Sequence, residues 1–330
     1  MADLPLTAQY ADSARAKALR RLSRSDVRFR LLTRGAAGFV VVLFAGIMVA
    51  LVSGALPAFR AFGWGFFTSA AWNPVTEKFG ALAPVYGTVV TSVLAMLLAV
   101  PLGIGIAIFL TEICPRALKR PIGIAIELLA GIPSIIYGVW GLFVFAPFFQ
   151  QNIQPGLIDF FANIPVLQDL FAGPPYGIGI FTASLILSIM ILPFIAAVSR
   201  DVFQTVPIMQ KEAAYGIGCT TWEVMWRIVL PFSRSGVVGG GMLALGRALG
   251  ETMAVTFVIG NAHHVHASLF SVATTISATI ANEFTEALGP LYVSSLFAIG
   301  LILFGITFVV LALAQFMLYS LERRAGGSTA

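Results

Sequence analysis

The chain has 330 residues, of which 58% are hydrophobic and 11% charged, with a formal net charge of +5. A soluble domain carries about 25% charged residues, so an ordinary water-soluble fold is excluded. The basic excess is not a nucleic-acid footprint either, because its cations cluster between long apolar stretches rather than within one polar domain.

A helix needs about 20 apolar residues to cross a hydrocarbon core. Six stretches meet that length: 36–57, 82–110, 122–149, 176–198, 236–260 and 292–320. They are too long for barrel strands and lack sustained alternation. Helices remain, since a spanning segment must satisfy its own backbone. The predicted fold class is therefore an all-α integral membrane protein with six transmembrane helices.

Residues 1–34 form a basic arm with Arg15, Lys17, Arg20, Arg21, Arg24, Arg28, Arg30 and Arg34. An interfacial helix is expected over 14–32, anchored to anionic headgroups. A cleaved signal peptide ending near Ser53-Gly54-Ala55 is disfavoured, because both the polar lead and the apolar run are too long. The next unit, 35–81, holds the first span and an outer loop whose Trp64, Phe66, Phe67 and Trp72 suit a membrane interface.

The core, 82–320, contains five spans, and 321–330 form a tail. Pro101 lies in the second span, and Gly131-Ile132-Pro133-Ser134 interrupts the third. Proline removes a backbone donor and kinks or breaks a helix. Gly103/Gly105 and Gly177/Gly179 lie in apolar stretches, where they favour close packing over phosphate binding. Loop 150–175 has no Lys or Arg and reads as an ordered turn or short helix. Loop 261–291 carries His263, His264 and His266, read as an exposed polar loop without a second ligand cluster. Cys114 and Cys219 are expected as free thiols.

Of the 20 Lys and Arg residues, 17 fall on one side of this arrangement, Arg60 and Lys78 on the other, and Arg247 inside a span. The positive-inside bias then places both termini in the cytoplasm (N-in/C-in). None of the four lysines follows a glycine, so no P-loop is present, and no intramembrane protease motif stands out.

Between spans four and five, the predicted cytoplasmic segment 199–235 contains Glu212-Ala213-Ala214-Tyr215-Gly216-Ile217-Gly218, nine further residues, then Ile228-Val229-Leu230-Pro231. The pattern predicts a helix over 208–216, a turn at Gly218, and a second helix over 220–229 ended by Pro231. Thr220 or Thr221 is the N-cap and Glu223 lies in the first turn. Trp222, Met225 and Trp226 are expected to be exposed, offering apolar surface to a protein groove.

This segment resembles the EAA loop of ABC-importer permeases. Glu212, Ala213, Ala214, Gly218, Ile228, Leu230 and Pro231 fill the pattern of that loop. Tyr86-Gly87-Thr88 and the stretches 107–120, 124–140, 201–231 and 246–257 further resemble the phosphate permeases of Pst-type importers, the PstC subunit family. The resemblance implies a type I (MetI-like) importer permease in a bacterial inner membrane. It implies a homologous second permease (PstA-like), an ATPase dimer (PstB-like) and a periplasmic phosphate-binding protein (PstS-like). ATP and Mg would then sit on the partner ATPase chains, with no cofactor and no catalytic residue on this one. Glu212, Ala213, Ala214, Gly218, Trp222, Ile228, Leu230 and Pro231 would couple to the ATPase.

Glu127, Arg247 and Glu251 are the ionisable residues predicted within spans. Such charges need partners or water. Arg247 and Glu251 are four apart, placing them on one helix face. They either neutralise each other or line the path, where a guanidinium attracts an oxyanion and a carboxylate limits retention. Glu127 pairs with Arg247, caps the break at Gly131, or joins the path. Rival readings are a permease for sulfate or molybdate, and a proton-coupled carrier using these three residues as a relay. A receptor role has no separate signalling domain to support it.

Overall fold

A computed structural model describes residues 6–165 and 167–326, with side chains over 26–165 and 167–320. The chain divides into two units, 1–53 and 54–330. The described residues of the first unit, 6–53, lie in α1 (Leu6–Phe62), which runs through the predicted interfacial helix and the first span. Its Phe39, Val42 and Val49 are exposed, as lipid-facing residues are.

The second unit begins with the end of α1 and the single turn α2 (Gly65–Thr68). A hairpin of β1 (Trp72–Asn73) and β2 (Lys78–Phe79) follows, with Trp72 opposite Phe79. The aromatic group predicted to sit at the membrane interface splits here. Trp64 is exposed, whereas Phe66 is buried with Phe79 and Tyr292.

Next come α3 (Leu82–Ile108), α4 (Arg116–Ala130), α5 (Ser134–Trp140) and α6 (Ala146–Asn152). Wide π-turns at Phe109–Ile113 and Gly141–Phe145 separate α3 from α4 and join α5 to α6. Short α7 (Gln154–Phe161) and α8 (Leu167–Leu170) form the 150–175 loop as expected. The chain continues through α9 (Ile180–Gln204), α10 (Ile208–Gly216), α11 (Thr221–Val224) and a π-turn at Met225–Val229. It closes with α12 (Leu230–Leu249), α13 (Met253–Ile259), α14 (Ile276–Glu283) and α15 (Pro290–Gly326).

Among the described residues, six helical segments are long and apolar enough to cross a membrane: Asp26–Phe62, Leu82–Ile113, Ser134–Asn152, Ile180–Gln204, Thr221–Leu249 and Pro290–Ser320. The number agrees with the sequence, but two spans are corrected. The third starts at Ser134 rather than 122, because Pro133 has no N–H and forces its predecessor out of the helix. Residues 116–130 form a separate helix with Arg116, Lys119, Arg120 and Glu127 among its apolar residues. The fifth ends at Leu249, not 260, and Gly250-Glu251-Thr252 separates it from α13.

The core centres on α9, whose most apolar window is 67% buried against 22% for the fifth span. The glycine-rich fifth span is thus not the innermost helix. Its glycines instead admit side chains of α9: a Cβ at Gly236 or Gly240 would meet Val202 or Val198 at 2.5 Å. Gly103 plays the same part on α3, where a Cβ would lie 2.7 Å from Ile195. Gly177 and Gly179 precede α9 rather than lying in it, and Gly179 (φ +141°) passes within 2.7–2.8 Å of the Phe270 and Ser271 carbonyls at its Cβ position.

Candidate functional site

Two groups of residues draw attention: the 205–231 loop and the charges expected within the spans. Pro207 starts α10, and its last turn closes with Ile217 N–H on the Ala213 carbonyl and Cys219 N–H on the Ala214 carbonyl. Gly218 takes φ +89°, a left-handed conformation that costs other residues about 1–2 kcal/mol. Thr220 then caps α11. Its hydroxyl accepts from the Glu223 N–H at 3.3 Å while Glu223 accepts from the Thr220 N–H at 2.9 Å, a reciprocal capping box.

The predicted coupling residues divide by burial. Ala214 is buried in a cluster with Ala107, Phe203, Val224 and Met225, and Ile228 and Leu230 pack against it. These hold the loop to the bundle. Glu212, Ala213 and Gly218 are exposed. Trp222 and Trp226 are 66% and 54% exposed, with their rings edge-to-face at 5.4 Å. Met225, expected beside them, is buried instead. Ile208, Met209, Tyr215 and Ile217 of the same loop are exposed as well, which the indole pattern alone did not flag.

Pro231 does not end the second helix. Leu230 N–H reaches back to the Met225 carbonyl, five residues away, and the helix continues to Leu249. A proline ring clashes with the carbonyl four residues before it. Widening the preceding turn relieves that clash and lets the chain enter α12.

A further contact joins this loop to the end of the second span. Lys211 Nζ lies 2.6 Å from Glu112 Oε1, with side chains 16% and 11% exposed. Like charges would not tolerate such burial; an ion pair with this geometry does. Sequence spacing gave no sign of it, since 99 residues separate the two.

The three expected intramembrane charges do not form one group. Glu127 lies on α4, outside the six spans, and accepts from Arg200 at 2.8 Å; Arg200 also bonds Asp201 at 3.1 Å. Its expected pairing with Arg247 or capping of Gly131 is thereby replaced. Arg247 occupies the last turn of α12 and is exposed. Glu251 lies beyond the end of that helix, so the two do not share a helix face, and no ion pair joins them among the described residues. Glu251 instead accepts from Ala254 N–H at 3.3 Å, at the start of α13. Glycines at 246 and 250 weaken the helix there, and the carboxylate serves the next one. Tyr137 of α5, not singled out in the sequence, lies within electrostatic reach of Arg247 and donates its hydroxyl to the Leu129 carbonyl at 2.9 Å.

At the other end of the bundle, Glu283 accepts from Tyr292 at 2.7 Å, meets His263 at 2.9 Å, and accepts from the Trp72 indole N–H. Burial pushes its carboxyl up, but the hydrogen bonds outweigh that and hold it below the ordinary glutamate range. His263 therefore belongs to a carboxylate-centred network. Among the described residues, no group of three or more His, Cys, Asp or Glu is arranged to hold a metal.

The family described as binding-protein-dependent transport system inner membrane component matches residues 99–325. A phosphate transport system permease PstC of Mesorhizobium japonicum is 64% identical over 95% of this chain and 96% of its own length. The protein of that name in Pasteurella multocida is 58% identical over 91% of this chain and 94% of its own. Among solved structures, a bacterial ABC transporter involved in alginate import aligns with TM-score 0.59 and 17% identity, covering 92% of this chain and 99% of that one. The alginate transporter in complex with a pentasaccharide-bound periplasmic protein gives 0.58 at 18%, covering 90% and 96%. These two likenesses concern the fold. With the matched segment running from the second span through the 205–231 loop to the last helix, the chain belongs to the binding-protein-dependent transport system inner membrane component family.

Proposed function

We propose that this chain is a transmembrane permease subunit of an ATP-driven importer of inorganic phosphate, supplying half of the translocation pathway. The observation that carries the reading is the 205–231 loop. It is pinned to the bundle by Ala214, Ile228 and Leu230 and offers Glu212, Gly218, Trp222 and Trp226 outward. Phosphate is favoured over sulfate or molybdate by the full-length similarity to phosphate permeases at up to 64% identity.

The loop would rest in a groove of a separate ATPase, two copies of which bind ATP and Mg. The charge bias supports placing that loop, and both termini, on the cytoplasmic side of an inner membrane. A homologous second permease would face the open side of α12, and a periplasmic phosphate-binding protein would deliver substrate to the opposite end. Arg247, exposed at the end of α12, would meet the anion in the cavity shared by the two permeases. A guanidinium offers paired donors to phosphate. Glu251, four residues on but past the helix end, would keep that attraction short-lived. Glu127 would act in the frame through Arg200 rather than in the path.

Competitive uptake by the reconstituted complex tests the substrate. Labelled phosphate should accumulate with ATP, and a hundredfold excess of sulfate or molybdate should leave the rate unchanged. Equal competition by sulfate would move the assignment to a different oxyanion.

A further inference from the structure

Two adjoining hollows open beside α10, with volumes of about 390 and 490 Å³. Both are within the range of small-ligand sites, about 300–1,000 Å³. They share walls made by Thr111, Glu112, Lys119, Gln204 and Lys211. Arg120 and Arg200 complete one, while Arg116, Glu212 and Tyr215 help to complete the other.

The charges on these walls do not balance. Five cations (Arg116, Lys119, Arg120, Arg200 and Lys211) face two carboxylates, Glu112 and Glu212. Some of the cations are already engaged. Lys211 holds Glu112 and Arg200 holds Glu127 and Asp201, while Lys119 donates to the Thr111 carbonyl. The Arg116 and Arg120 side chains have neither a hydrogen bond nor an ion pair among the described residues. They are four apart on α4 and so share one helix face.

We infer that these two adjoining hollows together form a binding site for a phosphoryl oxyanion, separate from the translocation path, supplied either as free phosphate or as the headgroup of an anionic lipid. Guanidinium groups recognise phosphate oxygens through paired charge-assisted hydrogen bonds, and Arg116 and Arg120 are the two free to make them. Lys119 contributes a point charge from the same helix. Basic pockets between membrane helices bind phosphate-bearing headgroups, and free phosphate presents the same oxygens. Charge bias assigns this end of the bundle to the cytoplasmic leaflet. Because Lys211 borders both hollows and directly precedes Glu212, a bound anion adds a second counter-charge next to the Lys211–Glu112 pair. Occupancy therefore restrains α10, the helix that carries the coupling residues.

The test uses the full-length permease in nanodiscs of zwitterionic lipid and follows backbone hydrogen exchange over residues 206–216. One series adds inorganic phosphate at constant ionic strength, and the other replaces part of the lipid with phosphatidylglycerol. Protection that rises with phosphate in zwitterionic lipid identifies the free anion as ligand. Protection that rises only with phosphatidylglycerol identifies the headgroup. In either case R116Q/R120Q should raise the half-saturating amount about tenfold, as loss of hydrogen bonds to a charged group implies. The charge-conserving R116K/R120K should keep most of the response and report that the helix still folds. Three outcomes overturn the site: no protection in either series, equal protection by chloride at matched ionic strength, or an unchanged R116Q/R120Q titration.

Discussion

Arg247 is exposed on a helix otherwise rich in glycine and leucine. A cation at membrane depth costs about 2.5–3.5 kcal/mol on insertion scales, a cost its surroundings must offset with water or an anion. Arg247→Gln should therefore insert normally yet lose phosphate uptake by at least about a hundredfold, in line with removal of a paired charge-assisted contact. Unchanged uptake of labelled phosphate would leave the residue a structural role only. Glu283 makes a separate prediction. Its carboxyl is held below the ordinary range in the folded protein, so its stabilising effect is present above the usual glutamate pKa of about 4.3. That effect is lost as pH falls through the lower folded value. Melting temperature measured from pH 6 to pH 3 should fall less steeply in Glu283→Gln than in wild type, with a lower plateau near neutrality.

At the scale of elements, α9 is where packing is least forgiving. Gly103 leaves 2.7 Å between its missing Cβ and Ile195, and overpacking of this kind costs about 1–3 kcal/mol. Gly103→Val should lower the melting temperature in detergent, whereas Gly105→Val, with nothing within 4 Å of its Cβ position, should change it little. The comparison also marks how far the sequence could be read. Six helices, the two-helix loop and its Thr220 cap were legible because apolar length and capping are local properties. The split between 122 and 149 was not. Isoleucine and leucine suit a surface helix and a span alike, and only Pro133 signalled that one ends where the other begins. The Arg247–Glu251 spacing misled for a related reason. A four-residue interval means a shared face only while the helix continues, and it stops at Leu249. Glu127–Arg200 and Lys211–Glu112 had no local signal at all, being contacts across 73 and 99 residues.

Across the whole molecule, the proposed route from ATPase to membrane runs through α10, the Lys211–Glu112 pair and α3, which packs along α9. Glu212 is exposed beside that pair and takes no part in the core. Glu212→Ala should thus leave insertion unchanged and stability within about 0.5 kcal/mol of wild type, as surface changes do. In the assembled complex it should reduce uptake per ATP hydrolysed. Full coupling efficiency in that variant would remove Glu212 from the route.

The turn at Met225–Val229 sets something that composition does not record. An α-helix turns about 100° per residue, and this turn holds one residue more than a regular one would. Deleting a single residue there would let it relax to ordinary helix with everything beyond it keeping nearly its bearing. A deletion early in α12, where no wide turn absorbs it, would instead swing the rest through roughly that angle. Arg247, about 27 Å further along at the rise of an α-helix, would then point at a different neighbour although no residue near it had changed. The bearing of the membrane arginine is thus a matter of counting, from the wide turn along α12 to its other end.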